Sequence, residues 1–457
     1  MGVLVVMTAG IALAIILGVR SEGKTCTNIR SAQCIGESVL SSMDLNADPC
    51  DDFYKYACGS WIRKQTIPPD HASYGRSFSS TTGNVQNELR ELLEVDLQDE
   101  KHPNAIAGRF YSSCMNGMAI GPVNLKMLAR FRPIFDGLKT AKSFASALGT
   151  LHSALSPGMF KVDIVASDDK DRISSYVVSF QQGGLGLYHP DKYTSKKPAD
   201  DEVRTAYKKQ MVENLKVCVK AKLLKPQNIE ELARKTFEFE TMLARIHKAP
   251  EERRDPAKLY NPTKLKSFPK DIFIEHYLQK LGIDKNKINS TIIVEDSKFL
   301  RDIAKMMGIV AVNKDYREAV KGYLGFHLIS EYGSFGMMGE EIYDVGFRFI
   351  KVMSGVKNMS EKWKRCQTLT TRVMPEALNE AYVRKNFPAS TRKAAEKLSA
   401  GIKRAFRRSL SRQTWMDSTT TRKAQEKLAA MSWKVGYSIP MVLERVRSEC
   451  ILRANAE

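Results

Sequence analysis

The stretch from Leu232 to Ile246, LARKTFEFETMLARI, sets Leu232, Thr236, Phe239, Leu243 and Ile246 three or four residues apart. That spacing gathers them on one face of an α-helix and leaves the charged residues on the opposite face. Two further stripes have the same period: Ala395, Leu398, Ile402, Phe406 and Leu410, then Ala424, Leu428, Met431 and Val435. Pro388 with Ser390 marks the start of the first of these helices, and Asp417-Ser418 the start of the second. Each stripe is expected to be buried. Against this helical background, Lys161–Ala166 (KVDIVA) and Ser175–Phe180 (SYVVSF) flank a polar turn, Ser167 to Arg172, and read as a β-hairpin. Gln181-Gln182-Gly183-Gly184 is expected to end the second strand. The fold class is mainly α, a multi-helix fold with a small β-hairpin.

Of the 457 residues, 43% are hydrophobic and 27% charged, which excludes disorder for most of the chain and supplies ample core. The formal net charge of +20 permits anionic partners without selecting one. The basic run Lys403-Arg404 with Arg407-Arg408 lies opposite the second apolar stripe. No aromatic platform interleaves it, so it reads as a solvated helix face and not as a nucleic-acid site. Val3 to Val19 is an apolar run of 17 positions and reads either as a cleaved signal peptide or as a membrane anchor. Four of the eight cysteines (Cys26, Cys34, Cys50 and Cys58) follow within a span of 33 positions, and no Cys-x-x-Cys pair occurs. A thiolate zinc site is therefore disfavoured and an oxidising compartment fits better. The sequons at Asn289 and Asn358 agree with a glycoprotein.

No residue set earns a catalytic or metal-binding role from its chemistry alone. Gly18 to Thr25, GVRSEGKT, matches a phosphate-loop pattern, but the run before it is too long for a strand and the residues after it are hardly helical. It reads as a coincidental spacer. The histidines are His71, His102, His152, His189, His247, His276 and His327, the closest pair being 29 residues apart. A helical two-histidine zinc site needs a spacing of four with a glutamate between. No histidine here is followed by Glu, and no Gly-x-Ser-x-Gly elbow is present.

One segment is far more specific. Asp48 to Trp61, DPCDDFYKYACGSW, resembles the start of the ectodomain in the neprilysin and endothelin-converting-enzyme family. The likeness continues in order through Ile67-Pro68, Tyr74-Gly75, Gly183-Gly184-Leu185-Gly186-Leu187 with Tyr193, and Arg253-Arg254-Asp255-Pro256 with Leu259-Tyr260. It is strong again at Trp363-Lys364-Arg365-Cys366, Tyr382 to Pro388, Trp415-Met416-Asp417 and Val435-Gly436-Tyr437. Members of that family are zinc metalloendopeptidases, usually type II membrane proteins and sometimes secreted. Their mostly helical N-terminal part helps enclose the substrate chamber. Their zinc sits in a separate C-terminal part with a His-Glu-x-x-His helix and a second acidic helix, neither of which occurs in these 457 residues.

The resemblance implies a leader over 1–25, the family's N-terminal domain over 26–437 and a non-family tail over 438–457. It implies peptide substrates, zinc only with the catalytic part, and a plasma-membrane (extracellular face) or secreted location. The expectation is a catalytically incomplete chain, with a non-catalytic peptide- or partner-binding module as the alternative. Ser73 stands where members selecting a free substrate carboxylate carry Arg, a departure from that pattern. By resemblance Cys26 pairs with Cys34 and Cys114 with Cys366, while Cys50, Cys58, Cys218 and Cys450 lack partners. If Asp51 to Ala57 is helical, eight positions at ~1.5 Å rise place Cys50 and Cys58 ~12 Å apart, beyond the reach of a disulfide. Orphan thiols beside Phe53, Tyr54, Tyr56 and Trp61 would favour homo-oligomers.

Overall fold

The computed structural model describes residues 32–117, 121–166, 176–283, 291–334, 336 and 338–437. The Val3–Val19 run, Gly18–Thr25, Cys26, Ser167–Arg172, Asn289, Cys450 and the 438–457 segment lie outside them. The chain divides into two compact units between Pro68 and Pro69.

The first unit contains α1 (Ala32–Leu40) and α2 (Phe53–Lys64). The Asp52 side chain accepts from Lys55 N–H at 2.8 Å and caps α2, whose last turn carries Arg63 and Lys64 where the helix dipole favours cations. The cap sets the start at Phe53, two residues later than the expected Asp51, and the helix runs on to Lys64. Gly59 is buried, and a Cβ there would lie 2.8 Å from Asp44 Cβ. This approach seats the Asp44 carboxylate 2.5 Å from the Arg63 guanidinium. Cys50 is exposed and Cys58 half-buried, both as free thiols. Cys34 is disulfide-bonded.

The second unit begins with α3 (Phe78–Glu94), α4 (Ala105–Gly117) and α5 (Ala141–Ser153), followed by strands β1 (Phe160–Ala166) and β2 (Tyr176–Gln182). Helices α6 (Pro198–Lys220) and α7 (Ile229–Arg245), strand β3 (Asn261–Lys264), α8 (Ile274–Lys280) and strand β4 (Thr291–Val294) come next. Then come α9 (Ser297–Val312), α10 (Lys314–Ser334), α11 (Glu340–Ser354), α12 (Lys362–Val373), α13 (Pro375–Asn386), α14 (Ala389–Leu410) and α15 (Ser418–Ala430). The fold is mainly α with a small sheet.

Helix α7 buries the stripe that its sequence marks: Leu232, Thr236, Phe239 and Leu243 are all in the core. It packs on α10 at Gly322, where a Cβ would come within 2.2 Å of Thr236 Oγ1, so glycine is what lets the two backbones approach. The hairpin pairs Phe160 with Gln182 through to Ala166 with Tyr176. Its second strand runs two residues past the expected end, because Gln181 and Gln182 stay in register and the Gln182 amide exchanges two hydrogen bonds with the Lys248 backbone. The hairpin is half of a four-stranded sheet ordered β1-β2-β4-β3, with β4 parallel to β2 and antiparallel to β3. Pro262 sits in β3 at the sheet edge, where a missing N–H donor is tolerated.

A smaller core lies between α3, α4, α12 and α13, built from Leu92, Leu93, Tyr111, Trp363 and Leu378. The Cys114–Cys366 disulfide joins α4 to α12 inside it, with Cα atoms 5.7 Å apart across a sequence separation of 252. The second and third stripes, contrary to expectation, are mostly not buried. In α14, Leu398, Ile402 and Phe406 are 66%, 57% and 52% exposed and only Leu410 is buried; α15 buries Leu428 and ends before Met431, which is exposed. Periodicity identifies which face is apolar and says nothing of whether a neighbour covers it. Among the described residues no helix is long and apolar enough to cross a membrane.

His152 on α5 locks the sheet side of the main core to α8. Its Nδ1 lies 2.6 Å from Tyr277 Oη, with the Phe160 ring at 5.6 Å. Enclosure pulls its pKa from 6.5 down to about 4. As the pH falls below ~6.5 the unfolded chain takes up a proton that the folded chain refuses, so this stability is present above ~6.5 and lost toward pH 4. Urea unfolding should weaken between pH 7 and 5, by up to about 2 kcal/mol from this residue. His152→Asn, which still accepts from Tyr277 but does not titrate, should flatten that part of the slope; an unchanged slope would refute the assignment.

Candidate functional site

Strand β2 leaves the sheet into Gly183-Gly184-Leu185-Gly186-Leu187, and the glycines are there for approach. Gly184 has φ +86°, and a Cβ on it would fall 2.0 Å from Gly158 O. A Cβ on Gly186 would fall 1.8 Å from Tyr207 Oη. The loop can therefore sink onto α7 and present the Gly186 N–H to Glu240 Oε1 at 2.6 Å.

Glu240 is 0% exposed. The same carboxylate accepts from Tyr193 at 3.0 Å and Tyr207 at 3.0 Å, and lies 3.2 Å from His327 Nε2. Tyr193 Oη accepts in turn from Leu187 N–H, and Tyr323 donates to Gly184 O at 2.6 Å. Burial, reinforced by the Glu240 charge, pushes the Tyr193, Tyr207 and Tyr323 hydroxyls well above the ordinary phenol range, so all three remain donors. A carboxylate enclosed and saturated in this way is a structural clamp: it has no solvent path and no lone pair aimed at a reacting group.

An open cavity of about 250 Å³ lies where the 69–71 loop meets α11 and α12. Lys357 and Asn358 N–H groups donate to Pro69 O and pin the loop. The Asp70 side chain, 7% exposed, takes Lys364 Nζ at 2.7 Å and lies 3.0 Å from His71 Nδ1. Burial alone would raise the Asp70 pKa, but the Lys364 and His71 hydrogen bonds hold it below the usual carboxylate range. Arg365 lies 4.1 Å over the Tyr343 ring and pairs with Glu340 at 2.5 Å. The cavity is thus lined by the matched Asp70–Lys364 pair and by Arg365, whose partner Glu340 lies outside the lining, a surface suited to polar recognition.

The histidines are dispersed. His102 Nδ1 accepts from Asn104 N–H, His189 lies 3.6 Å from Glu251, His247 packs between Leu243 O and Gly183 O, and His276 meets the Phe273 ring edge to face. Among the described residues no group of three or more His, Cys, Asp or Glu is placed to hold a metal. The described residues therefore do not make up a zinc site. Cys218 is a free thiol buried in the main core, where desolvation raises its pKa and keeps it inert. Asn358 is exposed. The sequence reading did not single out Asp70, Tyr343, Glu240 or His327. Glu240 had a detectable signal: a carboxylate one residue from Phe239, inside the buried stripe of α7.

A mainly helical chain folded around an enclosed carboxylate, with a small mixed sheet, is the class that the geometry defines. Residues 49–438 match the model for peptidase family M13, and the chain belongs to that family. It is 29% identical to human endothelin-converting enzyme 1 over 95% of this chain and 57% of that protein. It is 27% identical to Neprilysin-1 of Caenorhabditis elegans over 92% and 57%. Among solved structures it resembles zinc metalloprotease Zmp1 of Mycobacterium tuberculosis in complex with an inhibitor, with a TM-score of 0.73 at 23% identity over 85% of this chain and 57% of that one. The open state of the same protein gives 0.69 at 25% identity over 86% and 59%. The chain spans a little over half the length of these relatives.

Replacing Glu240 with Ala strands four buried donors at once, which should cost about 3 to 5 kcal/mol of folding stability. Glu240→Gln, which keeps one acceptor oxygen, should cost less. Denaturant unfolding of the two variants gives the order; equal midpoints for Glu240→Ala and the parent would show that the clamp carries no weight.

Proposed function

We propose that this chain forms the substrate-enclosing, non-catalytic part of an M13 zinc metallopeptidase and does not itself hydrolyse peptides. The observation that carries the reading is the family match over 49–438 in a sequence with no histidine pair at zinc spacing. Peptide hydrolysis by this family's chemistry needs a metal to polarise the carbonyl and acidify a water, and zinc would come with residues of the catalytic part. The paired charges of the Asp70–Lys364–Arg365 cavity favour a second reading, a peptide- or partner-binding module without catalysis. An extracellular or secreted setting, with glycans at Asn289 and Asn358, belongs to the same proposal.

Purified protein should hold well below one zinc per chain by elemental analysis and should leave a quenched fluorogenic peptide uncut. One tight zinc per chain with chelator-sensitive cleavage would overturn the reading. Cys50 is exposed beside Phe53 and Tyr54, which are 68% and 69% exposed. We propose that such a surface associates through this thiol. Non-reducing electrophoresis of the secreted protein should show disulfide-linked oligomers that Cys50→Ser diminishes; a clean monomer from the parent chain counts against it.

A further inference from the structure

A second cavity, of about 300 Å³, opens between α6, α10 and α11 and shares Tyr343 and Ser334 with the charged one. Its wall is apolar at Ile342, Phe349 and Met353 and polar at Gln210, Asn214 and Ser330. No Asp, Glu, Lys or Arg lines it, and the one ionisable imidazole, His327, is bonded to Glu240 through Nε2. A charged ligand would enter without a counterion, so the site suits a neutral one.

Two observations give the ligand its shape. Asn214 and Ser330 satisfy each other, Nδ2 donating to Oγ at 2.8 Å. Gln210 Oε1 is enclosed without a hydrogen-bond partner. A buried acceptor in that state favours any group that brings it an N–H. Exchanging the two ends of the Gln210 amide turns the acceptor into a donor, and a peptide-like amide answers either arrangement. The volume is at the lower end of the range for small-ligand sites and takes one large apolar side chain with its amide.

We propose that this cavity binds a neutral peptide-like amide bearing an aliphatic or aromatic side chain, with the amide at Gln210 and the side chain against Ile342, Phe349 and Met353. The site stands on these lining groups and is independent of whether the chain walls a peptidase chamber.

Gly346 on α11 supplies the test. A Cβ there meets only Gln210 Nε2, at 3.6 Å, so a side chain has room to grow into the cavity. Leucine also favours a helix interior over glycine, so Gly346→Leu fills the site without opposing the fold. The full chain is titrated with N-acetyl-L-leucinamide and N-acetyl-L-phenylalaninamide, followed by calorimetry and ligand-observed NMR. Saturable millimolar binding is expected, at least tenfold weaker for the N-acetyl-L-leucine anion. Gln210→Leu should weaken amide binding about tenfold, and Gly346→Leu should abolish it with the melting temperature kept. If Gly346→Leu fails to fold, Gln210→Leu and the anion comparison decide. No saturable binding by the parent chain, equal binding of amide and anion, or binding untouched by the variants would each overturn the proposal. None of these results depends on zinc content or peptide cleavage.

Discussion

The main core is organised around one carboxylate that is fully enclosed. Moving an anion into a protein interior costs several kcal/mol even after relaxation, and only a full set of donors makes it tolerable. Glu240 obtains that set from three directions: the Gly186 backbone, Tyr193 and Tyr207 on one side, and His327 from α10 on the other. The loop after β2, the helices α6, α7 and α10, and the turn at Pro190–Tyr193 must all be in register for the charge to be satisfied. The glycines at 184 and 186 follow from this requirement, since any side chain there would hold the loop away from the clamp.

The smaller core is held differently. Its apolar cluster is modest, and the chain supplying its two halves passes through the whole main core between Cys114 and Cys366. A crosslink across so long a loop removes a large amount of unfolded-chain entropy, a stabilisation typically of about 2–5 kcal/mol. Covalent closure here and polar saturation at Glu240 solve the same problem, fixing segments that are remote in sequence, one in each core.

Legibility from sequence followed the range of the interaction. The α7 stripe and the hairpin are local periodic signals, and both elements form at those residues. Strands β3 and β4 are four residues each and exist only because β4 pairs with β2 and β3 from across the chain. No window of sequence contains that pairing. The α14 stripe was legible as a period and misleading as to burial, since Leu398, Ile402 and Phe406 face outward. Asp70 and Lys364 are remote in sequence, so their ion pair had no local trace. The start of α2 turned on a single cap, Asp52, that competes with Asp51 two residues before the helix.

The state of the polar groups bears on what this half of the family's architecture can do. Reaction chemistry needs a base or nucleophile with a free lone pair and access to substrate. Glu240 has neither. Asp70 is committed to Lys364 and His71, Arg365 to Glu340 and the Tyr343 face, and the Cys218 thiol is sealed in the core with its proton held. These groups are matched to one another and rigidly placed, which suits them to hold a ligand's shape and charge. Tyr343 lines both a cavity of paired charges and a cavity with no acidic or basic side chain but one bound imidazole.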